Sequence, residues 1–428
     1  MSLTTTSLQR TERGMNYSET IQYLYSSQPV FHMIGSAAYK PGLQNMQRLM
    51  LAMGNPHTQF RSIHIAGTNG KGSTAHLLAA ILQSAGYRVG LYTSPHLVDY
   101  RERIRTDGKM IPKCEVTCFV RRHKTLLEDV RPSFFETTTA MAFSWFARQK
   151  VNIAVVEAGL GGRLDSTNII KPCLSIITNI GLDHTEFLGS TLSQIAAEKA
   201  GIIKNGVPVV IGERNSDTAS VFVSKAEATG SPLVFADERE TEADCECQLK
   251  GVYQQKNIRT VLAAIDVLRQ QGWSVSDEAV RQGLLHVCDL TGLQGRWQQL
   301  TYNGKRVILD TGHNSHGVRA YIDDLKKLHG LHVVFGMVSD KDVNVVLGLL
   351  PPKAKYYFTQ AQIHRAIAAA EMQRMGAEVG LRGRAYPTVQ KAIEAAISEA
   401  AADDTVFIGG SNYVVGEAIR CLTERLRG

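Results

Sequence analysis

Residues 62–73 read Ser62-Ile63-His64-Ile65-Ala66-Gly67-Thr68-Asn69-Gly70-Lys71-Gly72-Ser73. Five residues of strand character run into a glycine-rich turn. A helical pattern follows over 73–85, with apolar residues at 77, 78, 81 and 82. Strand, glycine turn and helix in that order make a cradle for phosphate. Glycines let backbone N–H groups approach phosphate oxygens, the helix N-terminus adds its positive end, and Lys71 can neutralise outer phosphate charge. Gly67, Thr68, Asn69, Gly70, Lys71, Gly72 and Ser73 are thus the expected phosphate contacts. The spacing is not the strict Walker A string, because Ile65 stands where its first glycine would be.

Outward from this segment, apolar runs alternate with helical patterns. Strands are expected at 89–92, 151–156, 174–178 and 207–211. The run 151–156 shows little alternation, as suits a strand buried on both faces. This pattern predicts a parallel α/β sheet with right-handed crossovers. A polar stretch near 237–246 precedes a helical segment, 253–270, and the turn Thr291-Gly292-Leu293-Gln294-Gly295 is the expected domain boundary. Beyond it the alternation restarts, with strands at 307–309, 332–335, 356–358 and 405–408. Helices are expected at 317–328, 343–350, 365–375, 389–401 and 414–426. The expected organisation is a polar extension over 1–14, a nucleotide-binding domain over 15–294 and a smaller Rossmann-like α/β domain over 295–428. A ligand cleft would lie between the two domains.

The chain has 428 residues, 44% apolar and 20% charged, which fits two or three globular domains. No apolar run approaches the roughly 20 residues of a membrane span. The start lacks the basic patch and apolar stretch of a secretory signal. Net charge is +7, from 47 basic and 40 acidic residues without a like-charge block. That favours anionic small molecules over nucleic acid as ligands. Seven scattered cysteines argue against a disulfide framework and for a reducing compartment, so a cytoplasmic protein is expected. Neither Cys245-Glu246-Cys247 nor Cys114…Cys118 has a second close pair at zinc-site spacing.

A phosphate loop needs a metal. The strand 151–156 runs into Glu157, where a carboxylate for magnesium belongs. The next strand runs into Asn179-Ile180-Gly181-Leu182-Asp183-His184, which puts His184 beyond a C-terminal strand end, where open α/β sheets place their sites. Ala197-Glu198-Lys199-Ala200-Gly201 closes a helix.

Together these strings resemble the folylpolyglutamate synthases, including bifunctional dihydrofolate synthases, of the Mur ligase superfamily. The likeness runs from about Met15 to the C-terminus. Gly67–Ser73 resembles the family's phosphate loop, and 92–97 with Glu102-Arg103-Ile104 its mobile loop. Residues 157–168 resemble its Glu-x-Gly-Leu-Gly-Gly-Arg-Leu-Asp-x-Thr-Asn signature, with Ser166 at the variable place. Gly251-Val252-Tyr253-Gln254…Asn257, Gly295-Arg296 and Asp310-Thr311-Gly312-His313-Asn314 resemble its ATP-contact strings, with Thr311 and Gly312 as departures.

The resemblance implies ATP contacts at Asn257 (near adenine), Arg296, Asp310 and His313. It implies magnesium, as two ions, held by Ser94, Glu157, His184 and a carbamylated Lys199. Lys71, His184 and Lys199 would be catalytic. It also implies a pterin pocket. Ser133-Phe134-Phe135-Glu136 and Leu164-Asp165-Ser166 match pocket segments, with Phe135 stacking on the ring and Asp165 meeting its amino-pyrimidine edge. Lys40-Pro41-Gly42-Leu43 stands where the bacterial pattern often reads Asp-Leu-Gly-Leu, and Gly42 is its expected substrate contact.

The implied reaction joins L-glutamate to folates, and to dihydropteroate, through an ATP-made acyl phosphate, in a monomer that binds neither membrane nor nucleic acid. The rival within the superfamily is a ligase acting on a cell-wall nucleotide peptide, and the pterin-type segments argue against it. The rival from another class is a P-loop switch or nucleic-acid-stimulated NTPase. No Asn-Lys-x-Asp guanine motif is present to support that rival.

Overall fold

The computed structural model describes residues 15–28, 42–238, 246–339 and 342–424. Two sheets carry the fold. The first has eight strands: β1 (Arg61–Ala66), β2 (Val89–Tyr92), β3 (Ile104–Thr106), β4 (Lys109–Met110), β5 (Ile153–Glu157), β6 (Leu174–Ile177), β7 (Val209–Ile211) and β8 (Leu233–Phe235). Their order is β4-β3-β2-β5-β1-β6-β7-β8. β1 is central and pairs in parallel with β5 and β6, so Ile65 faces Glu157 across one ladder and Ile176 across the other.

Both faces of this sheet are covered. Ile63, Ile65, Ile153 and Val155 point into a core shared with the helices Lys71–Ser84 and Gln254–Gln270. Ala154 and Val156 point to the other side, against Phe143 and Phe146 of the helix Phe134–Gln149. The helix Lys71–Ser84 is buried continuously from Ser73 to Leu82, so it is apolar all round rather than amphipathic. The helix Asp277–Leu285 crosses it so closely that a Cβ on Gly283 would come within 2.5 Å of the Ile81 Cα. This packing anchors the phosphate loop from its helical end.

The second sheet has the order β13-β12-β11-β14-β10-β9, from β9 (Gln298–Tyr302), β10 (Lys305–Leu309), β11 (Leu331–Phe335), β12 (Lys355–Thr359), β13 (Arg382–Tyr386) and β14 (Thr405–Gly409). Val333, Phe335, Phe358 and Phe407 fill one side, and Val334, Tyr357, Val406 and Ile408 the other.

Five strands go beyond the sequence expectation: β3, β4, β8, β9 and β13. Neither sheet is wholly parallel, because β3, β4 and β9 pair antiparallel. The expected helix 317–328 is two helices, Ser315–Arg319 and Ile322–Lys326. The chain breaks between them so that Tyr321 packs its ring against Trp297 and Phe407. The helix expected at 365–375 begins later, as Ala369–Glu378. Residues 1–14, the proposed extension, lie outside the described residues.

Candidate active site

The phosphate loop leaves β1 at Gly67 and enters its helix at Lys71. Two of its glycines are dictated by geometry. Gly67 has φ +149°, and a Cβ there would fall 1.8 Å from the Thr178 hydroxyl. Gly70 has φ +80°, and a Cβ there would fall 2.3 Å from Asn257 Oδ1. The loop is sewn to the segment after β6. Thr68 N donates to Asn179 O (2.9 Å), Asn69 N donates to Asn179 Oδ1 (3.0 Å), and the Thr178 hydroxyl donates to Asn69 O (2.6 Å). The amides of Thr68 and Asn69 therefore face the protein rather than a ligand. The N–H groups of residues 70–73 open a helix and have no partner within it.

Glu157 ends β5 and is 3% exposed. Ser94 N donates to its Oε2 at 3.0 Å. Burial pushes the Glu157 carboxyl up from its ordinary value, while Lys71, the Ser94 amide and Arg296 pull it down. Arg296 comes from the other sheet's side of the molecule. A Cβ on Gly72 would lie 3.6 Å from Arg296 Nη2 and 3.7 Å from Glu157 Oε2. Phosphate loop, carboxylate and guanidinium thus meet around Gly72.

Lys71 Nζ donates to Gly67 O and Thr68 O, at 2.9 and 3.1 Å. Lys199 is 4% exposed, and its Nζ donates to the same Gly67 O at 2.8 Å. Burial first, then the Lys71 charge, lower the Lys199 ammonium to about 7, with Asp183 and Asp165 opposing.

The four expected metal ligands are not drawn into one cage. Ser94 and Glu157 meet, but Lys199 turns to the loop carbonyl and the His184 imidazole lies 3.9 Å from Asp183. Among the described residues no three His, Cys, Asp or Glu side chains gather as a metal site. As an ammonium Lys199 is a donor only and does not ligate in that form. One buried carboxylate beside a phosphate loop still fits magnesium, which keeps waters and takes substrate phosphates as ligands.

The ATP strings of the second half converge on the loop. Asn257 is 5% exposed and packs on Gly70 of the loop. Its Nδ2 donates to Gln254 Oε1, and Gln254 donates onward to the Ser73 hydroxyl. Asp310 is buried, and it accepts from the Tyr253 hydroxyl (2.6 Å), Trp297 N (2.8 Å) and Gly312 N (2.8 Å). Those bonds give Asp310 a structural hold on the Arg296 turn. Thr311 donates through both its amide and its hydroxyl to Gly295 O. His313 Nδ1 pairs with Thr311 O at 2.9 Å.

In the expected pterin region, Ser133 and Glu136 form the capping box of the helix Phe134–Gln149. Phe134 is a core residue, 3% exposed, stacked on Tyr25 and edge-on to Tyr100. Phe135 is half-buried beside Tyr92, and a Cβ on Gly159 would press 2.5 Å from its ring. Asp165 is 4% exposed. Its Oδ2 accepts from Leu160 N, and its Oδ1 from the amide and hydroxyl of Thr167. Its first task is to hold its own loop. Leu164 and Ser166 are half-buried on either side of it. Gly42 is described at φ +116°, whereas Lys40 and Pro41 lie outside the described residues. Glu102, in the segment likened to a mobile loop, accepts from the backbone amides of Leu97, Val98 and Asp99.

Sequence reasoning did not single out Tyr253, Gln254, Asn179, Asn314 or His316 as site residues. The first four lie inside strings already quoted, whereas His316 carries no motif.

Residues 65–265 match the Mur ligase middle domain and residues 295–412 the Mur ligase glutamate ligase domain. The chain is 32% identical to the folylpolyglutamate synthase of Lacticaseibacillus casei, over 94% of this chain and 97% of that one. It is 34% identical to a probable bifunctional folylpolyglutamate synthase/dihydropteroate synthase of Haloferax volcanii, of which it spans half, with 94% of this chain covered. Among solved structures, E. coli FolC in complex with DHPP and ADP superposes with a TM-score of 0.84 at 29% identity, covering 96% of this chain and 99% of that one. A bifunctional folylpolyglutamate synthase/dihydrofolate synthase with Mn, AMPPNP and L-glutamate bound superposes at 0.83 and 30% identity, covering 96% and 98%. The chain belongs to the folylpolyglutamate synthase/dihydrofolate synthase family of Mur ligases.

Proposed function

We propose that this chain is an ATP-dependent ligase that joins L-glutamate to folates and also to dihydropteroate. The observation that carries this reading is the meeting of the phosphate loop, Glu157 and Arg296 around Gly72. A carboxylate is a poor electrophile. Transfer of the ATP γ-phosphoryl group to the substrate carboxylate makes an acyl phosphate and releases ADP. The glutamate amine then attacks the acyl carbon and expels phosphate. Residues 70–73 bind the phosphates through their amides, and Lys71 and Arg296 offset the charge that builds on the moving group. Ser94, Glu157 and His184 would hold magnesium, which when bound supplies charge neutralisation at the phosphates. Placing ATP and acid between the two halves supplies proximity and shields the acyl phosphate from water.

Lys199 is the proposed site of a carbamate. A neutral amine adds to carbon dioxide, and an ammonium lowered to about 7 supplies that form near neutrality. The product is an anion in place of a second cation beside Lys71. Phe135 is the proposed stacking partner of the pterin, with Gly42, Leu164 and Ser166 around it. We take 15–294 and 295–428 as the two domains of a cytoplasmic monomer that binds no nucleic acid. Among the described residues no helix is long and apolar enough to cross a membrane.

The test is ADP release by the purified chain, with and without L-glutamate, using dihydropteroate and tetrahydrofolate as acids. Glutamate-dependent release with both is expected. Release that ignores glutamate would point to an NTPase instead, and activity with tetrahydrofolate alone would remove the second substrate.

A further inference from the structure

We infer that Asn69, Asn314 and His316 form an interdomain latch that positions the phosphate loop against the second half of the molecule. Asn69 belongs to the loop, while Asn314 and His316 follow β10 in the other sheet's half. Asn69 Nδ2 donates to Asn314 Oδ1 (3.2 Å) and to His316 Nδ1 (2.8 Å). Asn314 Nδ2 returns a bond to Asn69 Oδ1 (3.2 Å) and gives another to Asp183 Oδ2 (3.0 Å). This reciprocal amide pair joins the two halves at the loop that takes the nucleotide.

The orientation of each amide follows from its neighbours. Gly317 N donates to Asn314 Oδ1 at 2.7 Å, and Asp183 offers only an acceptor, so the Asn314 amide can point one way. Asn314 in turn directs the Asn69 oxygen toward Asn314 Nδ2 and the Asn69 Nδ2 toward His316. The His316 Nδ1 must then accept, which leaves its proton on Nε2 and its ring neutral. Burial lowers the His316 imidazolium, in keeping with the neutral form. The ring also lies flush on Gly181, where a Cβ would come 3.2 Å from its Cγ. Gly181 is itself tied to the loop, since its amide donates to the Thr68 hydroxyl and its carbonyl accepts from it. The histidine thus grips two segments that flank the phosphates and touches none of the groups proposed to react.

Its role is positioning. The latch rests on the ligase reading for its purpose, because ATP must lie between the halves while the acid and the amine meet. His316→Phe keeps a ring on Gly181 but removes the acceptor, whereas His316→Gln restores one. Glutamate-dependent turnover, ATP KM and thermal midpoint are measured for both variants, for Asn69→Ala and for the Asn69→Ala/His316→Phe double variant. Loss of one neutral hydrogen bond between the halves should lower kcat/KM for ATP about three- to tenfold in His316→Phe, with an unchanged thermal midpoint. His316→Gln should recover most of it, and His316→Phe should add nothing once Asn69 is alanine. Wild-type kinetics in His316→Phe, equal losses in both His316 variants, or additive losses in the double variant would each overturn the latch. Affinity for a nonhydrolysable ATP analogue, read on the same proteins, needs no acid acceptor. An inactive wild type would therefore defeat the ligase reading alone, and the latch would be judged by whether the analogue affinities show the same pattern.

Discussion

Lys71 and Lys199 donate to one carbonyl oxygen, that of Gly67, at 2.9 and 2.8 Å. Two ammonium groups sharing an acceptor repel each other, and the buried one yields. Burial is the first cause that lowers Lys199 to about 7, and the Lys71 charge adds to it, beside a loop shaped for anions. The pair gives the carbamate proposal a physical basis. Converting Lys199 to an anion would remove the repulsion and leave Lys71 free to turn to phosphate.

Activation by carbon dioxide should therefore depend on pH. The neutral amine grows as pH rises through about 7, so at a fixed concentration of dissolved carbon dioxide activation should be faster at pH 8 than at pH 6. Lys199→Ala should lose most activity and recover part of it with short carboxylic acids. Mass spectrometry of the active protein under bicarbonate checks the added group. A fully active chain with unmodified Lys199 would reject it. The sign for stability is opposite to that of a paired lysine. The folded state holds fewer protons between about 7 and the ordinary lysine value, so unmodified protein should gain stability as pH rises through that window.

Lys71→Ala should reduce ligation by about 10²–10³-fold, as removal of one positioned charge-stabilising donor commonly does. Its helix should stand, because the burial of Ser73 to Leu82 holds it in place. Unaltered circular dichroism with lost ADP release is the expected result. Near-normal turnover in the folded variant would remove Lys71 from the chemistry.

Much of this site was legible because parallel strands buried on both faces write themselves as continuous apolar runs. β1, β5 and β6 could be read that way, and the strand ends located Gly67, Glu157 and the 179–184 turn. What escaped were polar, edge or hairpin strands. β3 and β4 are joined by Asp107-Gly108, and β9 and β10 by Asn303-Gly304. All four turn residues have positive φ, the signature of tight hairpin turns. That signal lay in the sequence and was passed over. β13, Arg382-Gly383-Arg384-Ala385-Tyr386, has no apolar run to read because it is an edge strand. Motif resemblance named Asp165 and Phe134 for the pterin, but the string alone did not show that Asp165 also holds its own loop or that Phe134 also packs in the core. Capping and core roles leave the same letters in a string. The bonds across to His316 join residues 247 apart in the chain, and no local pattern encodes them.

Arg296 should act on the nucleotide and Asp310 on Arg296. Asp310 accepts from Trp297 N, the residue next to Arg296, and Trp297 sits at φ +51°. Asp310→Ala would release that turn and leave the Tyr253 hydroxyl and the amides of Trp297 and Gly312 without their acceptor, costing roughly 1–3 kcal/mol or more of stability. Arg296→Ala should leave the thermal midpoint nearly unchanged and raise the ATP KM. Matching thermal losses in the two variants would contradict this division.

The last expectation separates the two acids. Asp165 supports Leu160 and Thr167, and Thr167 in turn pairs with the buried His64 Nε2 at 2.8 Å. Asp165→Ala should therefore lower the thermal midpoint and take both activities down together, since the loop that follows Glu157 loses its anchor. Phe135 is the better discriminator. It is half-buried, it borders Gly159 in that same loop, and its ring can stack on a planar pterin. Phe135→Ala forfeits stacking of roughly 0.5–1.5 kcal/mol, about a two- to tenfold rise in KM for an acid whose pterin lies there. Dihydropteroate, the shorter acid, should show that rise. A folate already carrying one glutamate must shift its pterin if its γ-carboxylate is to reach the same phosphate, so its KM should change less. The two KM values, measured on wild type and Phe135→Ala at saturating ATP and glutamate, check this directly. Equal rises for both acids would mean that they share one pterin position, and no rise for either would place the pterin away from Phe135.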